Sequence, residues 1–175
     1  MKNPRRPELW GVVNVTPDSF SDGGLFLGAD VATAHALEMV EQGASVIDVG
    51  GESTRPGAAR VTSEEEIARV IPVVEALATA GVVVSIDTMR ASTATAAVDA
   101  GARIINDVSG GLADPEMFAA VAACNAEYVL MHWRGHGDQM DSLATYDDVV
   151  SEVSAELHVR VSAATEAGIE TSRII

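Results

Sequence analysis

The chain has 175 residues, of which 47% are hydrophobic, enough apolar material for one domain spanning 1–175 with a sizeable core. Its 26 acidic residues against 11 basic ones leave a net charge of -15, which opposes binding to nucleic acid or to an anionic membrane surface. No run of ~18 apolar residues can span a bilayer, and the basic opening MKNPRRPELW lacks the apolar region of a signal peptide, so a cytoplasmic protein is expected.

In chain order, WGVVNV reads as a first strand ending near Asn14, whose side-chain oxygen is a hard ligand suited to Mg2+, although a strand-end Asn taken alone reads as a turn cap. The following NVTPDSFSDGGLFLG is rich in turn formers and reads as a long non-helical, lid-like loop. Asp30 is the expected N-cap of the next helix and Gly43 its closing residue. SVIDV is a second strand carrying Asp48, and GGESTRPGAAR after it places Thr54, Arg55 and Pro56 in a glycine-rich loop. A guanidinium there can neutralise a phosphate or stack on a flat ring, and a solvated loop arginine explains it equally well. A helix is predicted over Ser63–Ala80, with Ser63 and Glu66 as capping box, Ile67, Val70, Ile71, Val74, Leu77 and Ala78 as apolar face, and a kink at Pro72.

Gly81 ends that helix before VVVSID, a third strand closing on Asp87, and Gly101 precedes RIIND, a fourth ending in Asn106 and Asp107. Asp114 with Pro115 marks the start of a helix predicted to end at Asn125. Cys124, the single cysteine, lies in AAVAACNA and reads as a small core thiol. YVLMHWRGHGDQM supplies a fifth strand with His132 at its end, and Met131 and Trp133 beside it to line a flat apolar pocket. The alternation of His132, Arg134, His136 and Asp138 has no fixed zinc spacing, and its arginine would repel a cation. Gly168 precedes a terminal RII, the start of a sixth strand.

Short β-branched runs alternating with longer amphipathic ones imply parallel strands joined by helical crossovers. Both an open doubly wound sheet and a barrel fit that alternation. The absence of a GxGxxG or Walker pattern after the first strand favours the barrel. In either fold the strand-end residues Asn14, Asp48, Asp87, Asn106, Asp107 and His132 fall on the rim where such proteins place their sites. Asp87 offers an acceptor-only carboxylate and Asn106 a mixed donor and acceptor, a pair suited to the edge of a nitrogen heterocycle, although strand-end hydrogen bonding accounts for each of them singly.

Taken together, NVTPDSFSDGG, DVGGESTRPGA, SIDTMR, INDVSGG and VLMHWRG, in this order, resemble the dihydropteroate synthase family from about Trp10 to Ile175. The resemblance implies a TIM (β/α)8 barrel, here its first five βα units and the start of strand six. It implies a transferase of folate biosynthesis that condenses 6-hydroxymethyl-7,8-dihydropterin diphosphate with para-aminobenzoate, giving 7,8-dihydropteroate and pyrophosphate, with Mg2+ as cofactor and a homodimer for the full-length protein. By the same resemblance Asn14 binds Mg2+ and touches the diphosphate, while Thr54, Asp87 and Asn106 hold the pterin, with Met131 against its ring. Phe20, Asp22, Arg55 and Pro56 would order the diphosphate and form the para-aminobenzoate pocket. The family's later Asp-Pro-Gly, Ser-Arg-Lys and Arg-x-His segments are not in these residues. The chain is therefore expected to be a fragment, the N-terminal two-thirds of a ~250-residue barrel, with an unpaired first-strand edge and little turnover by itself. A pterin-dependent methyltransferase and a non-catalytic pterin-binding homologue are the alternative readings.

Overall fold

A computed structural model describes residues 7–16, 24–52, 61–136 and 139–175; the expected site residues Phe20, Asp22, Thr54, Arg55 and Pro56 lie outside these. The predicted alternation of strands and helices is present throughout. It runs β1 (Trp10–Asn14), α1 (Gly24–Glu41), β2 (Val46–Gly50), α2 (Ser63–Thr79), β3 (Val83–Asp87) and α3 (Ala91–Asp99). It continues with β4 (Ile104–Asp107), α4 (Met117–Ala123), β5 (Glu127–Leu130), α5 (Met140–Leu143) and α6 (Val149–Glu166).

The five strands are parallel and lie in the order β1-β2-β3-β4-β5. A doubly wound sheet reverses its order at a switch point; this one has no reversal, so each crossover helix returns to the same face. Accordingly α1 packs on α2, α2 on α3 and α3 on α4 in a single layer. The described strands form an open sheet and not a closed barrel.

One side chain in two points at the helix layer. Val13, Ile47, Val49, Val84, Ile86 and Ile105 of the sheet meet Ala32, Ala36, Val70, Val74, Leu77 and Ala94 of the helices, and each is buried. Full burial of a side chain such as Leu77 or Ile86 contributes about 1.5–3 kcal/mol. On the opposite face of β1, Val12 is 55% exposed and Asn14 beside it is also exposed.

Gly43, Gly81, Gly101 and Gly168 all have positive φ, as their positions after helices require. At Gly81 the amide donates to Ala78 O and the next amide, Val82 N, reaches back to Leu77 O, the paired bonds of a Schellman motif. Several expected limits are corrected. The capping box of α2 is Thr62 with Glu65, one residue earlier than expected, which leaves Glu66 on the buried face. Asp30 lies within α1 and caps nothing, since the helix already begins at Gly24 and takes in the last part of the loop expected to be non-helical. Pro72 sits inside α2, which continues to Thr79. Helix α4 ends at Ala123. Residues 171–173 form a 3-10 turn, and the sixth strand is entered at Ile174, which bridges Tyr128 in parallel.

Candidate functional site

Four residues fall into one row across the C-terminal ends of β1 to β4. Asn14 is in register with Gly50, Gly50 with Asp87, and Asp87 with Asn106. The middle position matters because it has no side chain. A β-carbon on Gly50 would stand 3.3 Å from Asn14 Oδ1 and 3.4 Å from Asp87 Oδ2, so the two oxygens face a space that glycine leaves open. Two oxygens converging there form a donor set suited to a hard cation that retains part of its water shell.

Asp48 lies two residues before Gly50 on the same face of β2, and Asn106 Nδ2 donates to its Oδ2 at 2.9 Å. That bond fixes the Asn106 amide with its oxygen directed away from Asp48. Asp48 is 6% exposed, and its Oδ1 has no hydrogen-bond partner among the described residues. Burial raises the Asp48 carboxyl above its ordinary value. Asp87 is pushed further, to about 7, first by burial and then by repulsion from Asp48, Glu66, Asp107 and Glu52. A carboxyl poised near neutrality at the end of a barrel-type strand is a mark of a functional position.

The sequence paired Asp107 with Asn106 on the rim. The strand alternation separates them and turns Asp107 toward the helix layer, where it is fully buried. It accepts bonds from Ser109 N and Oγ, Gly111 N and Tyr128 OH, all within 2.8 Å, and so holds the turn after β4. Gly110 in that turn has φ +59, and a β-carbon there would lie 2.6 Å from Met131 O. This close approach sets the start of the segment after β5. Met131 itself is 44% exposed. Trp133 stacks edge-on against His136.

His132 does not join the row. Its Nε2 lies 2.8 Å from Glu156 Oε2 on α6, and Arg134 donates to Glu156 and Glu152 on the same helix. These bonds, from Arg134 first and then His132, hold Glu156 down at about 2. The two residues tie the segment after β5 to α6.

A charged network behind Asp87 is absent from the sequence expectations. Glu66, 1% exposed, accepts from Thr88 Oγ1 at 2.8 Å, Thr93 Oγ1 at 2.9 Å and Arg90 Nη1 at 2.6 Å. Glu66, Thr88 and Arg90, with Glu52, Asp87, Met89 and Val108, line a recess beside the row. Arg90 belongs to the SIDTMR motif; Glu66 was assigned to the capping box, although its spacing of four residues before Val70 and eleven before Leu77 places it on the apolar face of α2.

A parallel α/β sheet in sequential order, carrying an amide, a carboxylate and a second amide in one row at its C-terminal edge, belongs to the class of α/β folds that place their sites at strand ends. Residues 10–175 match the family model described as pterin binding enzyme, and the chain belongs to that family. Dihydropteroate synthase of Mycobacterium leprae is 51% identical over 169 residues, covering 96% of this chain and 60% of that protein. Dihydropteroate synthase of Xanthomonas albilineans solved with 4-aminobenzoic acid superposes with a TM-score of 0.87 at 47% identity, over 97% of this chain and 60% of that one. The same enzyme in complex with 7,8-dihydropteroate gives 0.82 at 43% identity, over 97% and 59%. The chain thus spans about three-fifths of the length of these relatives. Among the described residues, no helix is long and apolar enough to cross a membrane.

Proposed function

We propose that this chain supplies pterin, diphosphate and para-aminobenzoate contacts of a dihydropteroate synthase, a cytoplasmic enzyme of folate biosynthesis that works as a homodimer. The five strands and the bridge at Ile174 are then the opening arc of a (β/α)8 barrel. The observation that carries the reading is the register row Asn14, Gly50, Asp87, Asn106, in a chain 51% identical to a dihydropteroate synthase.

In the reaction, the bond between the pterin methylene carbon and the diphosphate oxygen breaks, and a bond from that carbon to the amine of para-aminobenzoate forms. The amine loses a proton to solvent and pyrophosphate departs. Asp87 accepts from the N–H groups of the pterin edge, and Asn106, held by Asp48, presents its oxygen to the same edge. Met131 lies against the ring. Asn14, whose Oδ1 faces the space at Gly50, would hold Mg2+, and that ion would supply positive charge to offset the departing diphosphate. From the two loops, Thr54 joins the pterin contacts, while Phe20, Asp22, Arg55 and Pro56 order the diphosphate and receive para-aminobenzoate. No side chain forms a covalent intermediate; rate comes from positioning and from the exclusion of water.

The test is pyrophosphate release by the intact gene product containing this chain, with pterin diphosphate and para-aminobenzoate as substrates. Turnover that needs both substrates and Mg2+ is expected. Binding of methyltetrahydrofolate without any use of para-aminobenzoate would replace this reading with a methyl-transfer one.

A further inference from the structure

We propose that Asp48 sets which ring the site accepts: by holding the Asn106 amide one way round, it makes the site prefer a 2-amino-4-oxo pterin to the corresponding 2,4-dioxo ring, a lumazine. The inference rests on the function proposed above and names the specificity of that same site. Asp48 stands one layer below the row, two residues before Gly50, and is buried, whereas Asn106 is half-buried at the strand end. Asp48 is therefore a positioning residue that acts through Asn106.

The direction of the contact follows from what Asp48 lacks. An ionised carboxylate has no hydrogen to give, so only the nitrogen of the amide can face it, as in the bond from Asn106 Nδ2 to Asp48 Oδ2 at 2.9 Å. A neutral residue of the same shape, such as asparagine, would meet either end of the amide. The charge is kept in an unfavourable place. Burial raises the Asp48 carboxyl, and its Oδ1 has no hydrogen-bond partner among the described residues. Ser85, fully buried at the register position beside it on β3, stands near the carboxylate without an aligned hydrogen bond, and it and Asn106 oppose the rise. A residue needed only to tie β2 to β4 would not have to be charged.

With one amide hydrogen committed to Asp48, Asn106 keeps one N–H and its oxygen for a ligand. In a pterin, N1 accepts and the 2-amino group beside it donates, the complement of an amide that offers N–H and C=O in a fixed order. In a lumazine both are reversed: N1 carries the hydrogen and O2 accepts. An amide held one way round pairs with the first ring and sets like against like with the second, whereas an amide free to turn over serves both. Asp87 does not make this distinction, because both rings offer N–H groups to a carboxylate.

Calorimetry on the intact gene product, with 6-hydroxymethyl-7,8-dihydropterin and 6-hydroxymethyl-7,8-dihydrolumazine as probes, tests the inference. Two mispaired groups at about tenfold each give the parent about a hundredfold preference for the pterin. Asp48→Asn keeps the shape and the Tm, and should cut that preference about tenfold by weakening the pterin while the lumazine stays within about twofold. Asp48→Ser, whose hydroxyl also donates or accepts, should lose the preference in the same way. In an Asn106→Ala background, Asp48→Asn should change the ratio by less than about twofold, because the amide through which Asp48 acts is gone. Equal weakening of both rings in Asp48→Asn and Asp48→Ser overturns the inference, as does a change of ratio that persists in the Asn106→Ala background or a parent without preference. A parent that binds neither ring overturns the proposed function instead.

Discussion

Replacing Asp87 by Asn should make the protein more stable and a weaker binder of its ligand. Asp87 is raised from 3.8 to about 7 by burial and by the surrounding carboxylates. The folded state therefore binds this proton more tightly than the unfolded chain does. Unfolding releases the proton between about pH 4 and 7, so stability is lost as pH rises through that window. A displacement of this size corresponds to about 4 kcal/mol at full ionisation, and side-chain relaxation lowers the recoverable part to ~2–4 kcal/mol. Asn has the same shape and no charge. The difference in unfolding free energy between Asp87→Asn and the parent should be near zero at pH 4 and reach ~2–4 kcal/mol in favour of the variant at pH 8. Urea unfolding at four or five pH values, with the slope on denaturant compared between proteins, measures it. Pterin affinity should fall by ~1.5–3 kcal/mol in the same variant, because a charged acceptor is lost. Equal pH dependence in the two proteins would refute the assignment of strain to Asp87.

Asp48→Asn allows the new amide to donate to Asn106 and turn it over; pterin affinity should drop about tenfold by calorimetry without loss of Tm, and an unchanged Kd would remove the Asp48 bond from the site. Gly50→Ala fills the space between Asn14 and Asp87 at contacts of 3.3 and 3.4 Å, so the Mg2+ needed for half-maximal turnover should rise about tenfold while stability moves by less than about 1 kcal/mol. Gly110→Ala meets Met131 O at 2.6 Å in a left-handed conformation and should cost ~2–4 kcal/mol of unfolding free energy by denaturant titration; a neutral result would mean that the turn after β4 can shift freely.

The alternation of elements was readable because its signals are local. Each apolar run is short enough to be a strand, each helix carries an apolar face, and Gly43, Gly81, Gly101 and Gly168 mark helix ends with a residue that takes positive φ cheaply. Asn14, Asp87 and Asn106 were recoverable as strand-end residues for the same reason. Errors appeared where neighbouring residues of one type compete. Ser63 and Thr62 both suit an N-cap; the cap is Thr62 with Glu65, and Glu66, expected in the capping box, is buried instead. Asn106 and Asp107 adjoin in sequence yet face opposite layers, because a strand turns successive side chains apart.

The sequence by itself therefore determined the order and kind of the elements, the family, and which strands end in polar groups, all properties of residues within a few positions of each other. Tertiary structure alone decided which of those groups meet. The parallel register set Gly50 between Asn14 and Asp87, and the pairing of β2 with β3 and of β3 with β4 brought Asp48 to Asn106, 58 residues away. It also turned Glu66 inward to meet Arg90, 24 residues on. Such meetings depend on the packing of elements distant in the chain, and burial there gives the carboxylates the low-dielectric setting that shifts Asp87, an effect no local pattern encodes.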